Sequence, residues 1–252
     1  MSVDTGTILG DVDISEIGVL LADRARCRML MALNDGRALS ASMLAAEAGV
    51  ARSTASSHLS KLTTAGLLHR ETHGRYRYYR LAGSQVGELL EKLTQMAPAR
   101  PVASLRDGTR AVQLRSARTC YDHLAGRLGV AVMASMLQRD HLTGGDGLFR
   151  PQRAEHDRVS GYGQDIEYSL TPNGWRFLDD VGVRIPEGSR TLIRYCVDWS
   201  EQRHHLAGML GRAILDRFLE ARWVRRHQTV RSVQVTPEGR IALIEQFHIS
   251  WD

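Results

Sequence analysis

Apolar residues recur every three to four positions near the start of the chain. They predict a mostly helical stretch over residues 14–33, which Asn34-Asp35-Gly36 ends with a turn signal. Residues 41–48 form a second predicted helix, and residues 51–65 a third with Ser53 as its N-cap. The start of the chain is therefore predicted to form a small helical domain.

The pattern changes to short strands after the third helix. Residues 67–71 and 76–81 are predicted strands joined by a turn, and residues 84–96 are a polar helix. A Pro- and Ala-containing linker follows. These boundaries divide the chain into a first domain at 1–97, a linker at 98–101 and a second domain at 102–252.

The second domain contains a weak internal repeat. The string HLAGRLG at 123–129 recurs as HLAGMLG at 205–211, and LTPNG at 170–174 recurs as VTPEG at 235–239. A polar, Gly-rich stretch at 143–164 is predicted to be a loop. The predicted fold is mostly α with small β: an N-terminal winged helix-turn-helix and a C-terminal α+β domain of two weakly similar units.

Composition narrows the class of protein. The chain has 252 residues and a net charge of +5, enough length for two domains. Its three cysteines, Cys27, Cys120 and Cys196, do not make a disulfide framework. The sequence shows neither a secretion signal nor an apolar run long enough for a bilayer. We therefore expect a cytoplasmic protein that has no membrane partner.

The third helix has the pattern of a DNA-recognition helix. Ala55, Leu59 and Leu62 share one face of residues 52–64, and small hydroxyl side chains occupy much of the opposite face. Short hydroxyl groups can approach phosphates and base edges closely. The candidate DNA-contacting residues on this helix are Arg52, Ser53, Thr54, Ser56, Ser57, His58 and Lys61.

The predicted hairpin adds positive charge beside that helix. Its candidate contacts are Arg75, Tyr76 and Arg77, and residues 38–82 contain six Arg and Lys against two Glu. An ordinary helical domain with a solvated face and a charged hairpin would explain each feature singly. Together, at this spacing, they favour a winged helix-turn-helix that binds double-stranded DNA.

These residues also carry a family resemblance. LAAEAGVARSTASSHLSKL at 44–62, AGLL at 65–68 and RYYRL at 77–81 resemble the helix-turn-helix and wing of ArsR/SmtB-type repressors. The resemblance covers about the first 97 residues. It implies a homodimer formed by the first helix and the helix after the wing. It also implies repression of an operator that an inducer relieves.

Two departures from the family pattern bear on sensing. Many members bind metal through a Cys-x-Cys pair, where this chain has Leu39-Ser40-Ala41-Ser42-Met43. Others use Asp and His on the helix after the wing, where this chain offers Glu88 and Glu91. Both usual metal sites are therefore expected to be absent, and the second domain is expected to carry the sensing function.

The second domain offers alternatives for the effector, which the sequence leaves open. Cys120, His123, Cys196 and His205 could bind zinc or another soft metal. Cys120 and His123 would share a face if their segment were helical. Cys120 and Cys196 could instead be redox sensors or small core residues.

An organic inducer is a further alternative. Aromatic and polar side chains could line a pocket between the two units, although simple core packing explains the aromatic ones equally well. The candidate ligand-binding residues are Tyr121, Asp122, Tyr195, Trp199, His204 and His205.

An enzyme is not expected. The sequence shows no dinucleotide or phosphate loop, no His-Glu-x-x-His and no Gly-x-Ser-x-Gly. A catalytic domain fused to a DNA-binding module and an architectural DNA-binding protein without an inducer remain the alternatives. Turnover of a ligand would indicate the enzyme, and ligand-insensitive DNA binding would indicate the architectural protein.

Overall fold

The computed structural model describes residues 13–73, 76–97, 105–150, 166–188, 190–228 and 230–252. Arg75, the linker predicted at 98–101 and residues 151–164 of the predicted loop lie outside the described residues.

Five helices and one small sheet form the N-terminal region. The helices are α1 (Ser15–Leu21), α2 (Arg24–Leu33), α3 (Ala41–Ala48), α4 (Arg52–Thr64) and α5 (Ser84–Met96). The strands are β1 (Leu39–Ser40), β2 (Leu68–His73) and β3 (Tyr76–Leu81), in the antiparallel order β1-β3-β2. This is the predicted winged helix-turn-helix, with α3 and α4 as the motif and β2–β3 as the wing.

The mostly helical stretch predicted over 14–33 consists of two helices, and one predicted cap in this region was wrong. Helix α2 starts anew at Arg24, where the Asp23 carboxylate is its N-cap and accepts a hydrogen bond from the Arg26 backbone N–H at 2.8 Å. Ser53 does not cap α4: the helix begins at Arg52, and Ala51 is the N-cap residue without a side-chain bond. The buried stripe is as predicted, with Ala55, Leu59 and Leu62 fully buried.

Helices and two-stranded sheets alternate in the C-terminal region. The order is α6 (Leu105–Ser116), β4 (Arg118–Cys120), β5 (His123–Ala125), α7 (Gly126–Gln138), β6 (Leu142–Thr143), β7 (Ser169–Leu170), α8 (Pro172–Val181), β8 (Arg194–Val197), β9 (His204–Ala207), α9 (Gly208–Glu220), β10 (Val224–Arg226), β11 (Val233–Val235) and α10 (Pro237–Phe247). Each β pair is antiparallel. The region is therefore α+β, as expected.

Threonine and proline start α8 and α10. The Thr171 hydroxyl accepts from the Gly174 N–H, and the Thr236 hydroxyl accepts from the Gly239 N–H, both at 2.9 Å. Proline follows each cap at the first helical position.

The two hairpins that precede α7 and α9 cross-pack. Helix α7 contacts β9 of the second hairpin, α9 contacts β5 of the first, and β5 contacts β9. Glycine also permits each helix to approach its own preceding hairpin: a Cβ on Gly129 would lie 2.4 Å from the carbonyl oxygen of Leu124 on β5, and one on Gly211 would lie 2.5 Å from that of Leu206 on β9. The first residues of both helices are thereby pressed against the hairpins.

The turn at residues 34–37 joins the two regions. The Arg37 guanidinium donates to the Val230 carbonyl at 3.2 Å, and that of Arg226 donates to the Asp35 carbonyl at 2.8 Å. The Tyr121 N–H donates to the Asn34 carbonyl at 3.1 Å. The turn that ends α2 is therefore also a docking point for the C-terminal region. Among the described residues, no helix is long and apolar enough to cross a membrane.

Candidate functional site

Helix α4 presents the predicted contact residues to solvent. Arg52, Ser53, Thr54, Ser56, Ser57 and Lys61 are all exposed. The αL conformation of Gly49, with φ +72°, ends α3 and turns the chain into α4. The exposed face of α4 is thus held by packing of its opposite, apolar face on α2 and α3.

His58 differs from the other predicted residues of α4. Its side chain is only 14% exposed, and Nδ1 lies 3.4 Å from the Arg26 guanidinium while Nε2 lies 3.9 Å from the Asp23 carboxylate. The structure therefore places His58 against the start of α2, where it helps to position α4, and not on the exposed face.

The wing places further cations beside α4. Tyr76 and Arg77 are exposed at the start of β3, and Arg80 forms an ion pair with Glu71 at 2.8 Å. Polar side chains line a groove between α4 and the wing, including Ser56, Ser60, Thr63, His69, Arg70 and Arg77.

A second cluster lies where the two C-terminal hairpins meet. Cys120 and His123 are cross-strand partners in the first hairpin, and Cys196 and His205 are cross-strand partners in the second. One potential ligand atom from each of the four residues lies within 4.8 Å of the others. Cys120 and His123 share a hairpin and not the face of a helix, so the helical alternative for this segment was wrong. We call these four residues the thiol–imidazole cluster.

Each histidine of the cluster has a carboxylate close to its Nδ1 atom. Asp122 Oδ1 lies 3.2 Å from Nδ1 of His123, and Asp198 Oδ2 lies 3.3 Å from Nδ1 of His205. Asp198 is not among the residues of the metal site predicted from the sequence. The signal was present as a repeated spacing, because Cys-x-Asp occurs at 120–122 and again at 196–198.

Asp198 is a fully buried anion with several donors. It accepts from the Arg118 guanidinium at 2.9 Å, from the Gly126 N–H at 2.7 Å and from the Ser200 hydroxyl at 2.7 Å. Burial disfavours its charge, but His205 and Arg118 outweigh burial and hold the pKa of Asp198 well below its usual range. A permanent negative charge therefore faces His205.

The thiol–imidazole cluster is closed to solvent over most of its surface. Cys120, His123 and His205 are buried, and Cys196 is half-buried. Nε2 of both histidines has no hydrogen-bond partner. The neighbouring Cys196 and burial both raise the pKa of the Cys120 thiol. Cys120 is thus protonated at neutral pH, unlike the accessible thiolates of redox sensors.

The remaining predicted ligand-binding residues have different surroundings. The Tyr121 ring packs beside Gly87 of α5. The Tyr195 ring stacks on His204 with centroids 4.2 Å apart, and the Tyr168 hydroxyl lies 2.8 Å from His204 Nδ1. Trp199 lies beneath the Arg118 guanidinium, 4.6 Å from the ring centroid. Each of these aromatic side chains therefore packs against a neighbouring residue of the protein.

Comparison with known proteins agrees with the winged helix-turn-helix architecture. A helix-turn-helix domain family matches residues 21–71. YdfF of Bacillus subtilis, an uncharacterized HTH-type transcriptional regulator, is 37% identical over 240 residues, which are 94% of this chain and 98% of YdfF. The HTH-type transcriptional regulator CmtR of Mycobacterium tuberculosis is 41% identical over 86 residues, which are 34% of this chain and 72% of CmtR.

A solved structure from Mycobacterium bovis, a homodimeric winged helix-turn-helix DNA-binding domain and possible ArsR-family regulator, shares 28% identity with a TM-score of 0.30. The match covers 34% of this chain and 86% of the Mycobacterium bovis chain. Both relatives, the one matched across the chain and the one matched across its N-terminal region, are HTH-type transcriptional regulators. Given the match to YdfF over almost its full length and the helix-turn-helix of residues 21–71, this chain belongs to the ArsR family of winged helix-turn-helix, DNA-binding transcriptional regulators.

Proposed function

We propose that this protein is a homodimeric repressor that binds a specific operator and is released from it by an effector held in the C-terminal region. The observation that carries the proposal is the exposed hydroxyl face of α4 beside the exposed cations of the wing. A helix with such a face fits the major groove, and the wing fits the adjacent backbone or minor groove.

The exposed residues of α4 divide by chemistry. Ser53, Thr54, Ser56 and Ser57 can donate to phosphates or base edges, and in this arrangement they supply sequence readout. Lys61 supplies a charge contact to the phosphate backbone, which carries no sequence information. Arg77, with the predicted contacts Arg75 and Tyr76, takes the corresponding backbone role in the wing.

Exposed apolar side chains support the dimer. Ile14 beside α1, Val19 on α1, and Leu93 and Met96 on α5 are large hydrophobic residues exposed to solvent. A second copy would cover them and set two α4 helices into successive major grooves of a partly palindromic site. These are the two helices that the family resemblance assigns to the dimer.

Val19→Glu tests the dimer. A charge on this face opposes burial against a second copy, so sedimentation should show a shift toward monomer and operator affinity should fall at least about tenfold. Ile241→Glu is the matched control, because Ile241 is similarly exposed on α10, and it should remain dimeric. A Val19→Glu variant that sediments like the wild type would contradict the proposed interface.

The polar contacts between the two regions support an effector site in the C-terminal region. Asn34 and Glu91 are buried in the N-terminal region, and the guanidinium of Arg231 donates to the Glu91 carboxylate from the C-terminal region. A ligand that rearranges the C-terminal region can thus act on α5.

We further propose that this region is built from two related hairpin–helix units, supported by the equivalent registers of β4–β5 and β8–β9.

Fluorescence anisotropy tests operator binding. The full chain is titrated onto DNA from just upstream of its own gene and onto random DNA, at several salt concentrations. A preference of about a thousandfold or more for the upstream DNA is expected of a specific regulator. Equal affinity for both DNAs would point to an architectural role and overturn the proposal of a specific operator at this position.

A further inference from the structure

We propose that the thiol–imidazole cluster is a binding site for one thiophilic divalent metal ion of the zinc class. The proposal deepens the effector role proposed above, because it names the effector. The existence of the site is independent of that role and is tested separately from DNA binding.

The donor set selects the class of metal. Two cysteine sulfurs and two histidine nitrogens within 4.8 Å of one another match the tetrahedral ligation that zinc and related soft ions prefer. The four cluster side chains contribute no oxygen donor, so calcium and magnesium are poor matches. On binding, the Cys120 and Cys196 thiols would each lose a proton to solvent and bind the ion as thiolates.

The orientation of the histidines is independent support. Asp122 hydrogen-bonds Nδ1 of His123 at 3.2 Å, and Asp198 lies 3.3 Å from Nδ1 of His205 without hydrogen-bond geometry. The Nε2 atoms of both histidines are buried without a hydrogen-bond partner. An unpartnered buried nitrogen is costly, and a metal ion satisfies it. A carboxylate behind a ligating histidine fixes its tautomer and raises its basicity, which is the usual support for a metal ligand.

The position of the cluster makes the ion a cross-link. Each hairpin supplies one cysteine and one histidine, and the two rings His123 and His205 lie with centroids 5.2 Å apart. Four ligands on one hairpin would hold only that hairpin. Two ligands on each hairpin instead tie the two halves of the C-terminal region to one ion.

A short chain of contacts leads from the cluster to the DNA-binding region. The N–H of Thr119, next to Cys120, donates to the Arg231 carbonyl at 2.9 Å. The Arg231 guanidinium donates to Glu91 of α5, which also accepts from the Asn34 amide at 2.7 Å. A change in the first hairpin can therefore reach both the end of α2 and the helix proposed to form the dimer.

Cobalt titration of the full-length, metal-stripped and reduced protein tests the site. Co²⁺ reports thiolate ligation by charge-transfer absorption and tetrahedral geometry by intense visible bands. We expect one Co²⁺ per chain with both signatures, displaced by Zn²⁺. Cys120→Ser and Cys196→Ser should lose the thiolate signature in part or whole. Cys27→Ser is the matched control, because the Cys27 thiol donates to the Leu21 carbonyl in the N-terminal region, and it should bind as the wild type does.

Asp122→Asn tests the orienting carboxylate without changing a ligand. We expect metal affinity to fall by about 10–100-fold with the spectrum retained. Circular dichroism of the metal-free variants checks that they fold, and the wild-type titration decides the proposal even if a cysteine variant does not fold. A wild-type titration without thiolate charge transfer, or a Cys120–Cys196 disulfide that forms in its place, would overturn the site.

Operator binding with and without Zn²⁺ separates the two proposals. Metal binding together with at least about fivefold weaker operator binding supports both. Metal binding with unchanged operator affinity leaves the site standing as a structural centre and removes it as the effector. Operator binding by a chain that takes up no metal overturns this inference and leaves the DNA-binding function intact.

Discussion

Lys61 is the candidate phosphate contact on α4. It is exposed on the face that carries the short hydroxyl groups, and its charge makes it suited to a phosphate and not to a base edge. Removing a hydroxyl side chain and removing the Lys61 side chain should therefore change DNA binding in different ways. Loss of a base contact alters sequence preference, whereas loss of a phosphate contact weakens all DNA binding.

Lys61→Ala should weaken binding to operator and random DNA by a similar factor and lower the salt slope by about 1. Anisotropy titrations across a salt series measure both quantities. Arg176→Ala is the control, because it removes a charge from the exposed surface of α8, and its slope should match the wild type. An unchanged slope in Lys61→Ala would remove Lys61 from the phosphate contacts.

His141 predicts a pH dependence of stability. Its ring packs on Phe177 with centroids 4.1 Å apart, and neither nitrogen has a hydrogen-bond partner. Burial, and then Arg139, lower the pKa of His141, while Asp140 opposes them. The unfolded chain therefore binds the proton more readily than the folded chain. The stability from neutral His141 is complete above its unfolded pKa of about 6.5 and is lost as pH falls below it.

His141→Phe should reduce the loss of folding stability at low pH. Urea unfolding at about pH 7.5 and about pH 5.5 should show a smaller fall in the free energy of unfolding for the variant than for the wild type. Equal falls for the two proteins would show that His141 does not titrate in this way.

At the scale of elements, α7 and α9 pack closely against the hairpins of the C-terminal region. Gly129 and Gly211 hold equivalent places in these helices, next to the Leu124 and Leu206 carbonyls. The predicted repeat strings contain these glycines, yet the strings alone do not show that each helix crosses to the other hairpin. The thiol–imidazole cluster depends on that crossing.

Gly129→Ala should destabilise the protein by about 1–3 kcal/mol, because its Cβ would meet the Leu124 backbone, which cannot move aside without shifting β5. Urea unfolding measures the change. In the matched control, Gly18→Ala, the Cβ has open space within α1, and the higher helix propensity of Ala should stabilise that helix by up to about 1 kcal/mol. Equal effects of the two substitutions would argue against tight packing at Gly129.

At the scale of the whole molecule, one buried carboxylate connects the regions. Burial alone would raise the pKa of Glu91, but Arg231 and Arg118 outweigh it and lower the pKa. Glu91 is thus an anion that Arg231 of the C-terminal region neutralises. Sequence analysis considered Glu91 only as a metal ligand of the usual family site, and the structure instead gives it a role between the regions.

Glu91→Gln should leave Co²⁺ binding intact and reduce the effect of Zn²⁺ on operator affinity at least about threefold, because the charged contact with Arg231 is lost. It should also lower stability, since Arg231 keeps a buried charge without its partner. Glu88→Gln is the control on the same helix, because Glu88 pairs with Arg194 at 3.4 Å on the exposed surface. A full effect of Zn²⁺ on the operator affinity of Glu91→Gln would exclude the Glu91–Arg231 contact as the link between metal binding and DNA binding.

Local sequence patterns were sufficient to predict the winged helix-turn-helix. Its helices are marked by periodic apolar residues, and its wing by an alternating, basic hairpin, which are local signals that a window of a few residues contains. The sequence also indicated the four members of the thiol–imidazole cluster as residue types: His123 and His205 open the repeated strings, and Cys120 and Cys196 precede them. Local spacing could not place the break at Asp23, because a single capping hydrogen bond decides where α2 begins.

The grouping of those residues into one cluster depends on tertiary packing. Cys120 and His205 belong to different hairpins, and their proximity depends on the packing of α7 and α9 across β9 and β5. The pairing of Glu91 with Arg231 likewise joins distant parts of the chain. Such contacts have no local signature, because burial in a shared core and not sequence spacing brings their side chains together.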